Sequence, residues 1–220
     1  MKRPVAFYML LIMASIFLFF FLNLVLGSVS IPLRAVWNIL WGTGNESVIW
    51  QNIIWKSRVP QALTALAAGA GLSVSGLQMQ TVFRNPLAGP SVLGISSGAS
   101  MGVAFVVLLS GSLGGVALSK LGFMGEIALT IAAIAGSLSI MALIVFVSQK
   151  VRGNVTLLII GVMIGYIANA VIGVLKFFSV EEDIRAYVIW GLGSFARVSG
   201  DQMTLFICIM VAVSYTHLTL

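Results

Sequence analysis

The strongest constraint on this sequence is a series of apolar runs about as long as a bilayer is thick, with short polar segments between them. A helix crossing the hydrocarbon needs about 20 mostly apolar residues. Six stretches are read as spans: 5–27, 62–82, 92–109 (short and glycine-rich), 124–148, 155–178, and a last one from about 202 to the C-terminus. Long, non-alternating runs of this kind satisfy their backbone in lipid as helices. The expected fold is therefore all-α, a polytopic integral membrane helical bundle. Composition agrees: 60% of the 220 residues are hydrophobic and 8% charged, against about 25% charged in a soluble domain. The net charge of +6 does not point to nucleic acid, because the twelve Lys and Arg residues stand at the ends of apolar runs. The single cysteine, Cys208, excludes an intrachain disulfide. Lys2 and Arg3 precede a run too long for a secretory signal and without a small-x-small cleavage site, so it is read as a retained first span.

Two segments are too polar to span. Residues 28–61 hold Trp37, Trp41, Trp50 and Trp55, and residues 181–198 open with Glu181, Glu182 and Asp183. Tryptophan favours the membrane–water interface, so the first is expected on the bilayer surface and the second as a short interfacial or re-entrant helix. Placing the N-terminus in the cytoplasm puts Lys2, Arg3, Arg84, Lys150 and Arg152 inside. It puts Arg34, Lys56, Arg58, Lys120, Lys176, Arg185 and Arg197 outside, with all six acids: Glu46, Glu126, Glu181, Glu182, Asp183 and Asp201. The total runs against the positive-inside rule, but the N-terminus and the short 149–154 loop carry its strongest signals, and the N-terminus is read as cytoplasmic.

Small residues four apart let helix backbones approach closely in lipid. The third span carries Gly94, Gly98 and Gly102, the second Ala67, Gly71 and Ser75, and the fifth Gly161, Gly165, Asn169 and Gly173. Asn169, with Tyr166 one turn earlier, makes the fifth span a candidate translocation path or dimer contact, since a mid-span amide faces protein or water. Between the second and third spans stands Gln80-Thr81-Val82-Phe83-Arg84-Asn85-Pro86-Leu87-Ala88-Gly89-Pro90. Two prolines forbid a continuous helix, so a tight turn is expected, packed against other helices at the cytoplasmic edge. Asn85 or Ser91 is expected to cap the next helix, and Arg84 to reach for headgroups or a partner.

These residues carry a resemblance. The sequence from Ser57 to Ser100 contains Arg58, Pro60, Gly69-Ala70, Ser75-Gly76, Gln80, Asn85-Pro86-Leu87-Ala88, Pro90, Leu93-Gly94 and Gly98-Ala99 in order. It resembles the permease subunits of the iron–siderophore, haem and vitamin B12 class of ABC importers, the FecCD-type transmembrane family. A second block, residues 157–178 with 183–195, resembles that family's fifth helix and the short helix after it. The resemblance implies inward movement of an iron–siderophore, haem or cobalamin complex across the bacterial inner (plasma) membrane. The implied partners are cytoplasmic ATP-binding subunits, a periplasmic or lipoprotein substrate-binding protein, and a second permease copy, identical or not. It implies no cofactor and no metal of the chain's own. Arg58, with Lys56 nearby, matches the position where the family meets acidic residues of its binding protein, although the family's second arginine is here Gln61. The fifth span matches the helix lining the translocation path.

The family has about ten spans, against the six read here, and a coupling loop with Gly-Glu that this sequence does not reach. Residues 1–213 are read as the permease domain and 214–220 as an atypical tail holding the only histidine, His217. Two other classes fit less well. A stand-alone secondary transporter or channel calls for intramembrane acids or histidines. A membrane enzyme calls for a catalytic cluster, and neither H-E-x-x-H nor G-x-x-x-x-G-K-[ST] occurs.

Overall fold

The computed structural model describes residues 5–44, 46–112, 123–151, 153–196 and 198–219, of which 110–112, 123 and 217–219 by backbone alone. Lys2, Arg3, Lys120, Arg152 and Arg197 lie outside the described residues, as do the side chain of His217 and all of Leu220. Every regular element is helical: α1 (Val5–Val25), α2 (Leu33–Trp41), α3 (Val48–Ile53), a π-helical turn (Ile54–Arg58), α4 (Val59–Phe83), α5 (Ile95–Ser112), α6 (Phe123–Ser148), α7 (Asn154–Phe178), α8 (Glu181–Gly191) and α9 (Gly200–Thr219). Among the described residues four stretches are long and apolar enough to cross a membrane: Val5–Val25, Val48–Phe83, Met124–Ser148 and Asn154–Phe178. The other two expected spans are shorter apolar helices, Ile95–Leu109 and Gly200–Thr216.

The chain divides into two compact units, Met1–Gly71 with Ser194–Leu220 and Leu72–Gly193, the boundary falling within α4. In the first unit, α2 is a short amphipathic helix. Ala35, Val36 and Ile39 are buried with Leu24, Ile31 and Ile54, while Leu33, Trp37 and Trp41 face outward. Gly42, in the left-handed region at φ +67°, closes the helix with its N–H on the Asn38 carbonyl. Exposed tryptophan is the residue type that favours an interface, which is the ground of the expectation for residues 28–61. The second half of that stretch differs from expectation, because Val48 onward is helix running without interruption into α4. Pro60 explains the π turn: its ring displaces the carbonyl four residues back and it has no N–H to donate, so the preceding turn opens by one residue. The Val59 N–H accordingly bonds the Ile54 carbonyl.

In the second unit, α5 is the central helix, packed on α6, α7 and α8. It crosses α6 at glycines. A Cβ on Gly98 would lie 2.7 Å from the Gly136 carbonyl oxygen, and one on Gly102 would run into the Ala132 carbonyl oxygen. With no side chain between them, the backbones touch, which replaces the hydrophobic drive that lipid does not supply. At the other end of α5, Val103, Ala104, Val107 and Leu108 are buried with Ile172 and Tyr187. The Ser179 hydroxyl lies within hydrogen-bond distance of the carbonyls of Leu108 (3.1 Å) and Leu175 (2.6 Å), and its single proton is shared between them. α8 is the expected short helix after the fifth span. Its Tyr187 lies under the Lys176 ammonium, 4.8 Å from the ring centroid, and hydrogen-bonds Ser100. Burial pushes that phenol up, and the Ser100 bond partly offsets the effect.

Candidate functional site

Three places hold the residues singled out from the sequence. The first is the end of α1. The Arg58 guanidinium is buried, and its Nη1 donates to the carbonyls of Leu24 (2.5 Å) and Val25 (2.9 Å) and its Nη2 to that of Val29. The first two are carbonyls of the α1 C-terminus, which has no further turn to satisfy them. A cation there also meets the negative end of the helix dipole. Gly27 makes the room, since a Cβ at that position would lie 2.9 Å from Nη2. Its donors are turned inward onto the chain's own carbonyls, which is where this side chain is spent among the described residues. Lys56, the other residue named for docking, is exposed on the π turn beside exposed Trp55.

The second place is the turn between α4 and α5. α4 ends in a Schellman motif, with the Asn85 N–H on the Gln80 carbonyl (3.1 Å) and the Arg84 N–H on that of Thr81 (3.3 Å). Arg84 occupies the left-handed position, φ +48°, where glycine is usual. For an L-residue this costs about 1–2 kcal/mol. Asn85 does not cap α5, and neither does Ser91. Asn85 Oδ1 accepts from the Leu87 N–H at 2.9 Å, and its carbonyl accepts from Ala88 at 3.1 Å, closing a turn with Pro86 at its second position. Two further turns follow, Val92 N–H to Gly89 and Gly94 N–H to Ser91. Irregular backbone survives at membrane depth when packed and hydrogen-bonded in this way. Asn154, at the start of α7, donates from Nδ2 to the Val82 carbonyl at 3.1 Å and ties the turn to that helix.

The third place is α7, where the small-residue stripe serves two ends. Gly161 and Gly165 are buried beneath the turn. A Cβ on Gly161 would lie 2.9 Å from the Leu93 Cα, and one on Gly94 2.9 Å from the Gly161 carbonyl oxygen. Gly94 also has φ +70°, so it is glycine for two independent reasons. Gly94 therefore meets α7 while Gly98 and Gly102 meet α6, so the stripe expected along one helix face contacts two neighbours. Tyr166, Asn169 and Gly173 lie on an open face of α7, and a Cβ on Gly173 would meet nothing within 4 Å. Gly27, Gly136 and Asn154 escaped the sequence reading. Each stands at a span end or within an apolar run, and only its spatial neighbour shows its use.

Among the described residues no three His, Cys, Asp or Glu side chains are placed so that they could hold a metal ion. In the first unit, an apolar cleft of about 740 Å³ runs along α1 and the start of α4, lined by Phe19, Phe20, Asn23, Leu26, Ala62 and Leu66. It contains none of the residues singled out above.

Comparison with known proteins decides the class. The sequence model of the FecCD transport family matches residues 14–220. The chain belongs to the FecCD transport family. Among curated relatives of this family member, a haemin transport system permease of Yersinia pestis is 34% identical over 180 residues, covering 81% of this chain and 50% of the relative. A vitamin B12 import system permease of Serratia proteamaculans is 34% identical over 176 residues, covering 80% and 49%. The chain thus spans about half the length of the curated relatives it matches. Among solved structures, an inward-facing metal-chelate type ABC transporter superposes with a TM-score of 0.71 at 26% identity, covering 93% of this chain and 58% of that one. The chain is an all-helical, multi-pass membrane protein of a permease family.

Proposed function

We propose that this chain serves as the permease subunit of an ATP-driven importer in the inner (plasma) membrane, carrying a haem, cobalamin or iron–siderophore complex to the cytoplasm. The observation that carries this is the family match over residues 14–220, together with relatives named for haemin and vitamin B12 transport. ATP hydrolysis belongs to separate cytoplasmic subunits. A binding protein delivers the cargo from outside, and a second permease copy completes the path. The open α7 face with Tyr166, Asn169 and Gly173 is the part assigned to the path or to the second copy, because a polar amide on a span demands protein or water. Lys56 with Trp55 is the part assigned to the binding protein, with the N-terminus in the cytoplasm. A cation and an aromatic ring together suit an acidic protein surface.

The test is uptake in liposomes holding this chain with its ATP-binding subunits and binding protein. Vanadate-sensitive uptake of a haem, cobalamin or ferric-siderophore probe is expected. Uptake that ignores vanadate and collapses with a proton ionophore overturns the reading and favours a secondary transporter. Lys56→Glu is expected to weaken binding-protein affinity at least fivefold, for about 1 kcal/mol per charge. Unchanged affinity removes Lys56 from the docking surface.

A further inference from the structure

The corner between α7 and α8 holds a cation and a buried anion that do not meet. Two hydrogen-bonded turns form it. The Ser179 N–H bonds the Lys176 carbonyl at 3.3 Å, and the Asp183 N–H bonds that of Val180 at 3.1 Å. Lys176 stands in the last turn of α7 and Asp183 in the first turn of α8. Each charge suits its helix terminus, the cation at a C-terminus and the acid at an N-terminus. Asp183 is 6% exposed, and its Oδ2 is buried without a hydrogen-bond partner. A carboxylate oxygen buried in this way is costly unless a donor or a cation faces it. Tyr187 is the other buried residue of α8, four positions on and therefore on the same helix face. The Lys176 ammonium lies over the Tyr187 ring, 4.8 Å from its centroid, and not on Oδ2. Arg185 is exposed, away from this buried face.

Oδ2 is closed off by the chain itself, so a cation that reaches it comes from within the chain. Lys176 is the cation that the corner and the shared Tyr187 face bring to it. An ammonium on a flexible four-carbon stem changes place by rotamer changes alone. We propose that Lys176 has two positions and thereby switches α8 between two states. In one, its ammonium lies over Tyr187 and helps to hold α8 on α5, where the phenol also hydrogen-bonds Ser100. In the other it pairs with Asp183, the ring loses its cation, and the Tyr187 end of α8 is held more loosely. The corner itself stays fixed in both, because the Ser179 hydroxyl remains 3.1 Å from the Leu108 carbonyl of α5. Neither state requires a cargo or an ATPase.

Hydrogen–deuterium exchange of the α8 amides, in the purified full chain at pH 7, reads the two states. Asp183→Asn leaves the lysine only the ring. Exchange at Tyr187 and the residues after it is then expected to slow about fivefold, the factor that corresponds to about 1 kcal/mol for a cation over an aromatic ring. Lys176→Met keeps the apolar stem, removes the charge and leaves Asp183 untouched; it is expected to speed the same amides. The deciding sample is the double variant, which is expected to exchange as fast as Lys176→Met alone. Glu182→Gln, at the exposed neighbouring acid, is expected to change nothing. Equal slowing by Asp183→Asn with and without the lysine overturns the proposal and leaves the carboxylate to desolvation alone. So does unchanged exchange in Lys176→Met, which would mean that the ammonium does not hold α8.

Discussion

At the residue scale, the least expected placement is Arg58. From the sequence it is a basic residue at the head of a span, which reads as a docking contact or as an anchor at the headgroups. The distinction lies 29 to 34 residues away, in the carbonyls of Leu24, Val25 and Val29. The sequence has no local mark for it, because a carbonyl is present on every residue and only the three-dimensional return of the chain selects these. Lysine cannot replace this arginine, since a single ammonium does not span acceptors that two guanidinium nitrogens reach. Arg58→Lys is expected to destabilise the protein by about 2–3 kcal/mol, the cost of lost hydrogen bonds to a buried charge. Gly27→Ala is expected to do part of the same damage from the other side, by pushing on Nη2 from 2.9 Å. The two changes act on one contact, so the double variant costs less than the sum. Unfolding of the two single variants and the double in mild detergent measures this. Full additivity would mean the guanidinium does not sit against Gly27.

At the element scale, the crossing of α5 and α6 is the stiffest joint. Gly102 and Gly136 meet backbone alone, and Gly98 meets the Gly136 carbonyl together with the Ile140 side chain, so a substituent at Gly102 or Gly136 has nowhere to go. Gly102→Val is expected to cost about 1–3 kcal/mol or more and to lower the yield of folded protein. Gly173→Ala, on the open face of α7, is expected to leave folding unchanged. A thermal melt of the two variants separates them, and equal melting would mean that α5 and α6 are not in contact at this point. This contrast also shows what the sequence made legible. Apolar length located α1, α6 and α7 within a few residues, and the Pro86 and Pro90 pair located the break between α4 and α5. Spacing alone did not say which glycine meets which helix. Gly161, Gly165, Asn169 and Gly173 share a period, yet the first two are filled by the Val92–Gly94 turn and the last two are open. Hydropathy also failed at Val48–Arg58, because Gln51, Asn52, Lys56 and Arg58 hide a helix whose polar groups are turned to the interface or spent on α1. The same limit holds at the C-terminus, where polar 214–219 continues α9 without a break.

At the scale of the whole molecule, the question is which way the chain stands in the membrane. Counting Lys and Arg over the full sequence opposes a cytoplasmic N-terminus by seven to five. One of the outer seven is a poor vote, though, since Arg58 is buried against carbonyls. The second unit weighs the other way, with every acid at one end and only cations at the other. The rule concerns basic residues in short loops near span ends, and the α6–α7 connection, residues 149–153, is a short loop of this kind joining two spans. The Arg84 and Lys150 end is therefore expected to face the cytoplasm, with α8 and the four acids outside. Two exposed leucines mark the ends: Leu87 at 84% on the Asn85 turn, and Leu192 at 79% just after α8. With Cys208 replaced by serine, Leu192→Cys is expected to react with a membrane-impermeant maleimide on intact spheroplasts, and Leu87→Cys only after permeabilisation. The opposite pattern would invert the second unit and place its acidic end in the cytoplasm.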